Sequence, residues 1–212
     1  LNLYLIMMSP REVYQSREAE FNATGRQLKK KSDRLSMARL AAFAGGLVLF
    51  AVLLSFSLIA AIVTLAAALA LFTWMVIKYE TTEKSRKRFL HLAEINRLEL
   101  KCLEGDFSGF KTGGEFAERD HPYSYDLDIF GRASLFQYIC RTTSRPASDR
   151  LAEYLKQSAA RGEILLRQEA VTELKPLTDW RQELMTLGYL NTGAGNDPAP
   201  LMQLLQSEDL FR

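Results

Sequence analysis

The longest hydrophobic segment of the chain is residues 40–77, which contains no Asp, Glu, Lys, Arg or His. As one helix, this run of 38 residues would be about 57 Å long, nearly twice the roughly 30 Å hydrocarbon core of a bilayer. Two helices joined by a tight turn fit the bilayer better. The most polar interruption near the middle of the run is Ser55-Phe56-Ser57, so the pattern predicts a transmembrane helical hairpin that turns there.

The two predicted spans differ in length. The first, residues 40–54, is short and requires local thinning of the bilayer or snorkelling of Arg39, whereas the second, residues 58–77, is full length. A re-entrant hairpin is the alternative to one that spans fully. A signal peptide is excluded because the segment begins too late, is too long and lacks a cleavage pattern. Two buried core helices of a soluble protein are disfavoured, because the rest of the chain supplies few apolar helices to enclose them.

Basic residues flank the apolar run on both sides. They are Arg26, Lys29, Lys30, Lys31, Arg34 and Arg39 before it, and Lys78, Lys84, Arg86, Lys87 and Arg88 after it. The positive-inside rule therefore predicts an inner-membrane protein with both termini cytoplasmic and the hairpin tip outside. Arg39, Trp74, Lys78 and Tyr79 fall where the membrane interface is expected. Membrane lipid is the first expected partner, and the flanks could also bind anionic headgroups. Membrane orientation explains this charge without a nucleic acid.

An antiparallel helical stalk is predicted on either side of the hairpin. Ser9-Pro10-Arg11-Glu12 is typical of a capped helix start. Apolar residues then recur every seven positions, at Tyr14, Phe21, Leu28 and Leu35. The matching stripe after the second span comprises Phe89, Leu92, Ile95 and the segment from Leu98 to Leu103. We expect an amphipathic helix over 1–39 to pair with a second stalk helix over 78–104 as a short coiled coil. The alternative is two separate helices lying on the membrane surface.

The rest of the chain is predicted to be a linker followed by an all-α domain. Residues 105–127 are rich in glycine and mixed charge, which favours a linker at a domain boundary. Apolar residues at helical spacing then predict five helices. The first covers 131–143, the second begins at a Ser148 cap, the third covers 163–174, the fourth covers 179–190, and the last follows Pro198-Ala199-Pro200. No segment shows persuasive strand alternation. The whole domain is assigned to residues 128–212.

The chain lacks the residue patterns of an enzyme, so we expect no catalysis, cofactor or metal in it. The net charge is only +2, and two cysteines and two histidines show no metal-ligand spacing. Asp126 and Asp128 form an acidic pair at a loop-to-helix junction, where helix capping explains them. No G-x-x-x-x-G-K-[ST] phosphate loop occurs.

A series of residues between positions 128 and 174 carries a family resemblance. Its members are Asp128, Phe130, Gly131, Ser134, Leu135, Phe136, Arg141, Thr142, Arg150, Leu151, Arg167, Gln168, Val171 and Leu174. In order and spacing, this series resembles the start of the core, or lever, domain of the MutS family. The string Arg167-Gln168-Glu169-Ala170-Val171-Thr172-Glu173-Leu174 is its most specific part. The chain departs from the family at Ala147-Ser148-Asp149, where a glycine is usual, and at Lys156-Gln157-Ser158-Ala159, where a proline is usual.

The resemblance implies the N-terminal piece of a membrane-associated MutS-like protein. The full-length protein would be a DNA mismatch repair-type ATPase that binds DNA, uses ATP and Mg²⁺, and dimerises through an ATPase end missing here. This piece would be its anchor and its lever or scaffold. Apolar members of the series are expected in a helical core, and Arg141, Arg167 and Gln168 are expected to tie helices together. The alternative is a membrane-tethered helical module that binds a protein and is unrelated to ATP or DNA.

Overall fold

A computed structural model of the chain describes residues 9–191, and within that range it is all-helical, with no strand. The elements are α1 (Pro10–Leu54), α2 (Leu58–Leu103), a 3₁₀ helix (Gly114–Phe116), α3 (Leu135–Ile139), α4 (Arg145–Lys156), α5 (Arg161–Leu174) and α6 (Thr178–Asn191). The described residues form two compact units: the hairpin unit, 16–93, and the helical unit, 9–15 with 94–191. The helix predicted after Pro198-Ala199-Pro200 lies outside the described residues.

Helix α1 begins at the predicted capping box. The Ser9 backbone N–H donates to Glu12 Oε2 at 2.7 Å, and the Glu12 N–H donates to Ser9 Oγ at 3.3 Å. These reciprocal bonds satisfy donors that the first helical turn leaves without partners. The hydrogen bond from the Ser9 backbone lowers the pKa of Glu12, so the carboxylate stays charged at the positive end of the helix dipole.

In the hairpin unit, α1 and α2 form an antiparallel pair. Helix α1 ends at Leu54 and α2 begins at Leu58, which places the break at the predicted turn. The rings of Phe43 and Phe72 lie 5.7 Å apart near the middle of the pair, and those of Phe21 and Phe89 lie 6.0 Å apart further from the turn. Partner numbers on α2 therefore rise as those on α1 fall, as in a hairpin.

The seam between these helices follows a seven-residue repeat. Its buried or half-buried positions in α1 form two series: Phe21, Leu28, Leu35 and Ala42, and Gly25, Ser32, Arg39 and Gly46. The first series contains three residues of the predicted apolar stripe, Phe21, Leu28 and Leu35. The second lies four residues further along the same face, so alternate spacings of three and four repeat as in a coiled coil.

Small residues in the second series bring the two backbones close together. A Cβ on Gly46 would lie 2.7 Å from the Cβ of Ala68, and one on Gly25 would lie 3.2 Å from the Leu90 side chain. Between them, buried Ser32 hydrogen-bonds to Glu83 at 3.4 Å. The seam is thus a mixture of apolar, small and polar layers.

The helical unit is built on an aromatic core. Its buried members are Ile129, Phe130, Phe136, Cys140 and Ala152, with Phe116, Leu151 and Leu155 packed against them. The Phe136 ring lies 5.6 Å from that of Phe130 and 5.5 Å from that of Phe116. This core joins α3 and α4 to the segment that precedes them.

Residues 105–127, predicted as a linker, pack against this core in the structure. Phe110 is buried, and its carbonyl accepts a hydrogen bond from Gln137 Nε2 at 2.9 Å. The Gly131 N–H donates to the Thr112 carbonyl at 2.9 Å. Glycines here supply turns, since Gly105 and Gly113 have φ of 88° and 66°. The high glycine content therefore reflects a tightly folded loop, and the two units divide between residues 93 and 94.

Two local predictions in the helical unit are corrected. The helix expected over 131–143 is limited to Leu135–Ile139, because Ala133 has a φ of 56° before it and Cys140 is extended after it. The next helix is capped by Ser144 rather than Ser148: Ser144 Oγ accepts from the Ala147 N–H, which places Pro146 in the first turn. Ser148 lies inside the helix and is buried.

Candidate membrane anchor and motif residues

The hairpin carries a continuous band of exposed apolar side chains. Both α1 and α2 are long and apolar enough to cross a membrane, and 0% and 6% of their most apolar windows are buried inside the protein. Sixteen large apolar residues over 40–77 are exposed, from Leu40 at 65% to Ile77 at 57%. In water such a surface is unfavourable, and in the hydrocarbon of a bilayer it is favourable.

The four residues predicted at the interface lie at the base of this band. The Arg39 guanidinium carbon is 5.7 Å from the centre of the Phe72 ring and 5.3 Å from that of Tyr79, so this cation is held between two aromatic faces. Trp74 is 54% exposed and Lys78 is also exposed. An indole, a phenol and two cations at one level are typical of a membrane boundary.

At this level and beyond it lies a group of eleven basic side chains that we call the basic collar. It consists of Arg26, Lys29, Lys30, Lys31, Arg34, Arg39, Lys78, Lys84, Arg86, Lys87 and Arg88. Three carboxylates, Asp33, Glu80 and Glu83, share these segments. Glu83 accepts two bonds from Arg86 Nε at 3.0 and 2.9 Å, and this interaction lowers the pKa of Glu83.

In the helical unit, the motif residue Arg141 has several partners. Its Nε and Nη2 donate to the two carboxylate oxygens of Glu99 at 2.5 and 3.0 Å, and Nη1 donates to the carbonyls of Tyr138 and Cys140 at 2.8 and 3.1 Å. The guanidinium lies 3.6 Å from the centre of the Phe110 ring. Burial opposes its charge, but the bonds to Glu99 outweigh burial and raise the pKa of Arg141. Arg141 thus fixes the end of α2 to the loop and to α3.

The first half of the motif series shapes the loop and the core. Phe130 and Phe136 are buried, and Ser134 caps α3 by accepting from the Gln137 N–H at 3.2 Å. Asp128 and Gly131 have φ of 48° and 110°, so both lie where the chain turns sharply. Leu135, in contrast, is 45% exposed, so one of the expected core residues lies on the surface.

The middle residues of the motif series connect α4 with the neighbouring segments. Thr142 Oγ1 lies 2.6 Å from Ser148 Oγ, and Lys111 Nζ donates to the same Ser148 hydroxyl at 3.2 Å. Leu151 packs against the aromatic core. These contacts attach the start of α4 to the chain segments before it.

Two arginines of the series lie against the same tyrosine. The Arg167 guanidinium carbon is 3.5 Å and that of Arg150 is 4.9 Å from the centre of the Tyr154 ring. Arg167 also pairs with Glu163, and Arg150 pairs with Glu153 at 2.8 Å. Arg167 therefore joins α5 to α4 through the aromatic face of Tyr154. Both cations are already paired with carboxylates, which leaves little charge for a phosphate backbone.

The end of the series lies on a largely exposed helix. Gln168 and Val171 are exposed, Val171 at 66%, and Leu174 is half-buried. The expectation that Val171 belongs to the core is therefore wrong for the described residues. Other apolar side chains of α5 and α6 are exposed too, among them Leu165, Leu166, Trp180 and Leu187.

A cavity of about 250 Å³, which the sequence pattern does not indicate, lies between α6 and the end of α2. Arg141 and Glu99 line it together with apolar residues such as Tyr14, Ile95 and Trp180. Gln182 also lines the cavity, and it exchanges two amide hydrogen bonds of 3.1 and 2.9 Å with buried Asn96. Polar residues paired over 86 positions of sequence carry no local periodic signal.

Among residues 9–191, no group of three or more His, Cys, Asp and Glu side chains is placed to hold a metal ion. Cys102 and Cys140 are both free thiols. Comparison of the chain with protein-family models, with curated proteins and with solved structures finds no match.

Proposed function

We propose that this chain is the membrane-anchored N-terminal region of a MutS-like DNA mismatch repair-type ATPase. The hairpin unit is the anchor, and the helical unit is a lever or scaffold. The observation that carries the anchor is the exposed apolar band over 40–77. The family assignment is supported by the order and spacing of the motif series.

The free energy gained when the apolar side chains leave water favours insertion of the hairpin into a membrane over its burial as two core helices of a soluble protein. Sixteen large apolar side chains, each about half exposed, would gain on the order of 10–25 kcal/mol on leaving water. The core helices of a soluble protein are covered by its other elements, but here almost none of either apolar window is covered. The hydrocarbon of a bilayer would cover this apolar surface.

The distribution of charge supports an inner-membrane location with both termini cytoplasmic. Cations lie on both flanks of the band, and the turn at Ser55-Phe56-Ser57 has none. A tip without charge crosses the hydrocarbon at low cost, whereas either flank would have to carry at least five cations across.

The contacts of the motif residues support a rigid scaffold. Arg141 binds the carboxylate of Glu99, two carbonyls and an aromatic face, and Arg167 binds both Tyr154 and Glu163. Side chains held by several partners keep helices in fixed register, which a lever requires. We assign ATP, Mg²⁺, DNA and dimerisation to the ATPase end that the resemblance implies beyond residue 212, and no catalysis to the described residues.

A second candidate is a membrane-tethered module that binds a protein partner. It is favoured by the exposed apolar residues of α5 and α6, such as Leu166 at 67% and Trp180 at 52%. Contiguous apolar surface on a soluble unit commonly marks an interface. The same surface is also compatible with the first candidate, in which further parts of a lever domain would pack against it.

The anchor is tested by fractionation and labelling in cells. Deletion of residues 40–77 removes the apolar band. The protein should then move from the carbonate-resistant membrane fraction into the soluble fraction. In the full chain with Cys102→Ser and Cys140→Ala, which remove the two native thiols, Phe56→Cys should react with a membrane-impermeant maleimide in intact cells, because Phe56 lies at the tip and is 81% exposed. Lys30→Cys, on the flank, should react only after lysis. Labelling of Phe56→Cys only after lysis would show that the hairpin does not span the membrane.

The family assignment is tested by translating the genomic region downstream of residue 212 in frame. We expect G-x-x-x-x-G-K-[ST] within a few hundred residues, followed by an acidic partner motif, because a phosphate loop is what a MutS-like ATPase requires. An immediate stop codon would remove the ATPase and DNA parts of the proposal and leave the tethered module.

A further inference from the structure

We infer that the basic collar binds anionic lipid headgroups, so that the anchor prefers a negatively charged membrane surface. This inference rests on the proposed membrane anchor. Insertion itself depends on the apolar band, and orientation requires only that cations stay on one side. The collar extends the positive charge well beyond its two interfacial cations, Arg39 and Lys78.

The collar is accessible and remains strongly positive. Eleven cations face three carboxylates, and Glu83 is already engaged by Arg86. Nine of the eleven cations are exposed, and the exceptions are Arg39 and Arg86. Lys29, Lys30 and Lys31 are consecutive, so they point to different sides of α1 and spread charge around the helix.

The distance of the collar from the apolar band matches the reach of a charged membrane surface. At 1.5 Å per residue, Lys31 lies about 14 Å and Lys84 about 10 Å along the helix from the ends of the apolar run. The headgroup layer occupies roughly 5–8 Å of this distance. The remaining gap is comparable with the Debye length of about 8 Å at physiological ionic strength, so anionic headgroups attract these cations.

A lipid surface fits the collar better than a nucleic acid does. The collar is continuous with the apolar band, and its aromatic neighbours Trp74, Tyr79 and Phe72 lie at the band's edge or pack against Arg39. Single-stranded nucleic acids need exposed aromatic rings between the cations for base stacking. Between positions 26 and 39 there is no aromatic residue.

The preference is tested by quenching the fluorescence of Trp74 with brominated lipids. The full chain, with Trp180→Phe so that Trp74 is the only indole, is reconstituted into phosphatidylcholine vesicles. A minority of the lipid is brominated phosphatidylcholine in one set and brominated phosphatidylglycerol in the other. We expect the anionic bromolipid to quench Trp74 at least about twofold more strongly. The difference should disappear near 1 M salt, where the Debye length falls to about 3 Å.

Matched variants show which cations cause the preference for the anionic lipid. Lys29→Gln, Lys30→Gln and Lys31→Gln together should reduce the preference. Arg119→Gln, Arg132→Gln and Lys175→Gln together remove the same charge from exposed positions outside the collar and should leave it unchanged.

Three results would overturn the inference. Equal quenching by both bromolipids would remove the lipid preference while leaving the anchor intact, because Trp74 would still be in contact with lipid. Quenching by neither would refute the anchor and the inference together. Retention of a short duplex DNA by the collar, with no preference for the anionic lipid, would assign the collar to nucleic acid.

Discussion

Phe136→Ala should destabilise the helical unit by about 3–5 kcal/mol, the cost of removing a buried aromatic ring from a packed core. Phe136 is fully buried, and it packs against Phe116 and Phe130. The ring lies below a tight loop turn at Gly113, so the backbone around it has little freedom to close the cavity. Urea unfolding of the full chain in detergent micelles measures the loss. The fluorescence of Trp180, in a Trp74→Phe background, follows the helical unit alone.

Leu135→Ala is the matched control for this prediction. Leu135 precedes Phe136 on the same short helix, and it is 45% exposed. Its truncation removes little buried surface, so we expect a loss under about 1 kcal/mol. Equal losses for the two variants would contradict the placement of Phe136 in the core and of Leu135 at the surface.

This pair of residues shows where the sequence stops being informative. In the helix predicted over 131–143, the apolar spacing of Leu135, Phe136, Ile139 and Cys140 indicates one shared face. The helix is only five residues long, and it buries Phe136 and Cys140 while exposing the other two. Helical periodicity identifies the side of a helix that is apolar, but the depth of each residue depends on the loop that packs over it. Here that loop comes from residues 105–127, whose glycines favoured a linker.

The hairpin was more predictable, because its main constraint is physical length. An uncharged run longer than the bilayer must turn, and the break at Ser55-Phe56-Ser57 follows from polarity alone. Only one of the two residue series in the seam could be predicted from the sequence. Phe21, Leu28 and Leu35 form a recognisable apolar repeat, whereas Gly25, Ser32 and Gly46 are not large apolar residues and add nothing to such a pattern. Gly25 and Gly46 lie where the two helices approach closely and a larger side chain would clash, and only the register of the two helices reveals this.

The motif arginines illustrate a similar division. A tying role for Arg141 and Arg167 could be anticipated from their position beside an apolar series. Their partners could not, since Glu99 lies 42 positions before Arg141, and Tyr154 belongs to another helix. Ion pairs and cation–π contacts at such separations depend on the tertiary fold, not on local spacing.

Gly113→Ala should strongly destabilise the loop, with a loss of about 2–5 kcal/mol. Gly113 has a φ of 66°, in the left-handed region, where a residue with a Cβ costs about 1–2 kcal/mol. Its new Cβ would also lie 2.5, 2.8 and 2.8 Å from three atoms of the Phe136 ring. That ring is fully buried and cannot swing into solvent, so overpacking adds about 1–3 kcal/mol.

Gly114→Ala is the control, and it should be nearly neutral. Gly114 is exposed, and the nearest atom to its Cβ would be Thr112 Oγ1 at an ordinary 3.7 Å. Both variants are measured by the same urea titration of Trp180 fluorescence, and Gly113→Ala combined with Phe136→Leu provides the decisive comparison. If the clash with the ring carries the loss, replacing the ring by a smaller side chain should make the cost of Gly113→Ala smaller than in the wild-type background. If the cost is the same in both backgrounds, the strained φ alone is responsible and the contact between loop and core contributes nothing.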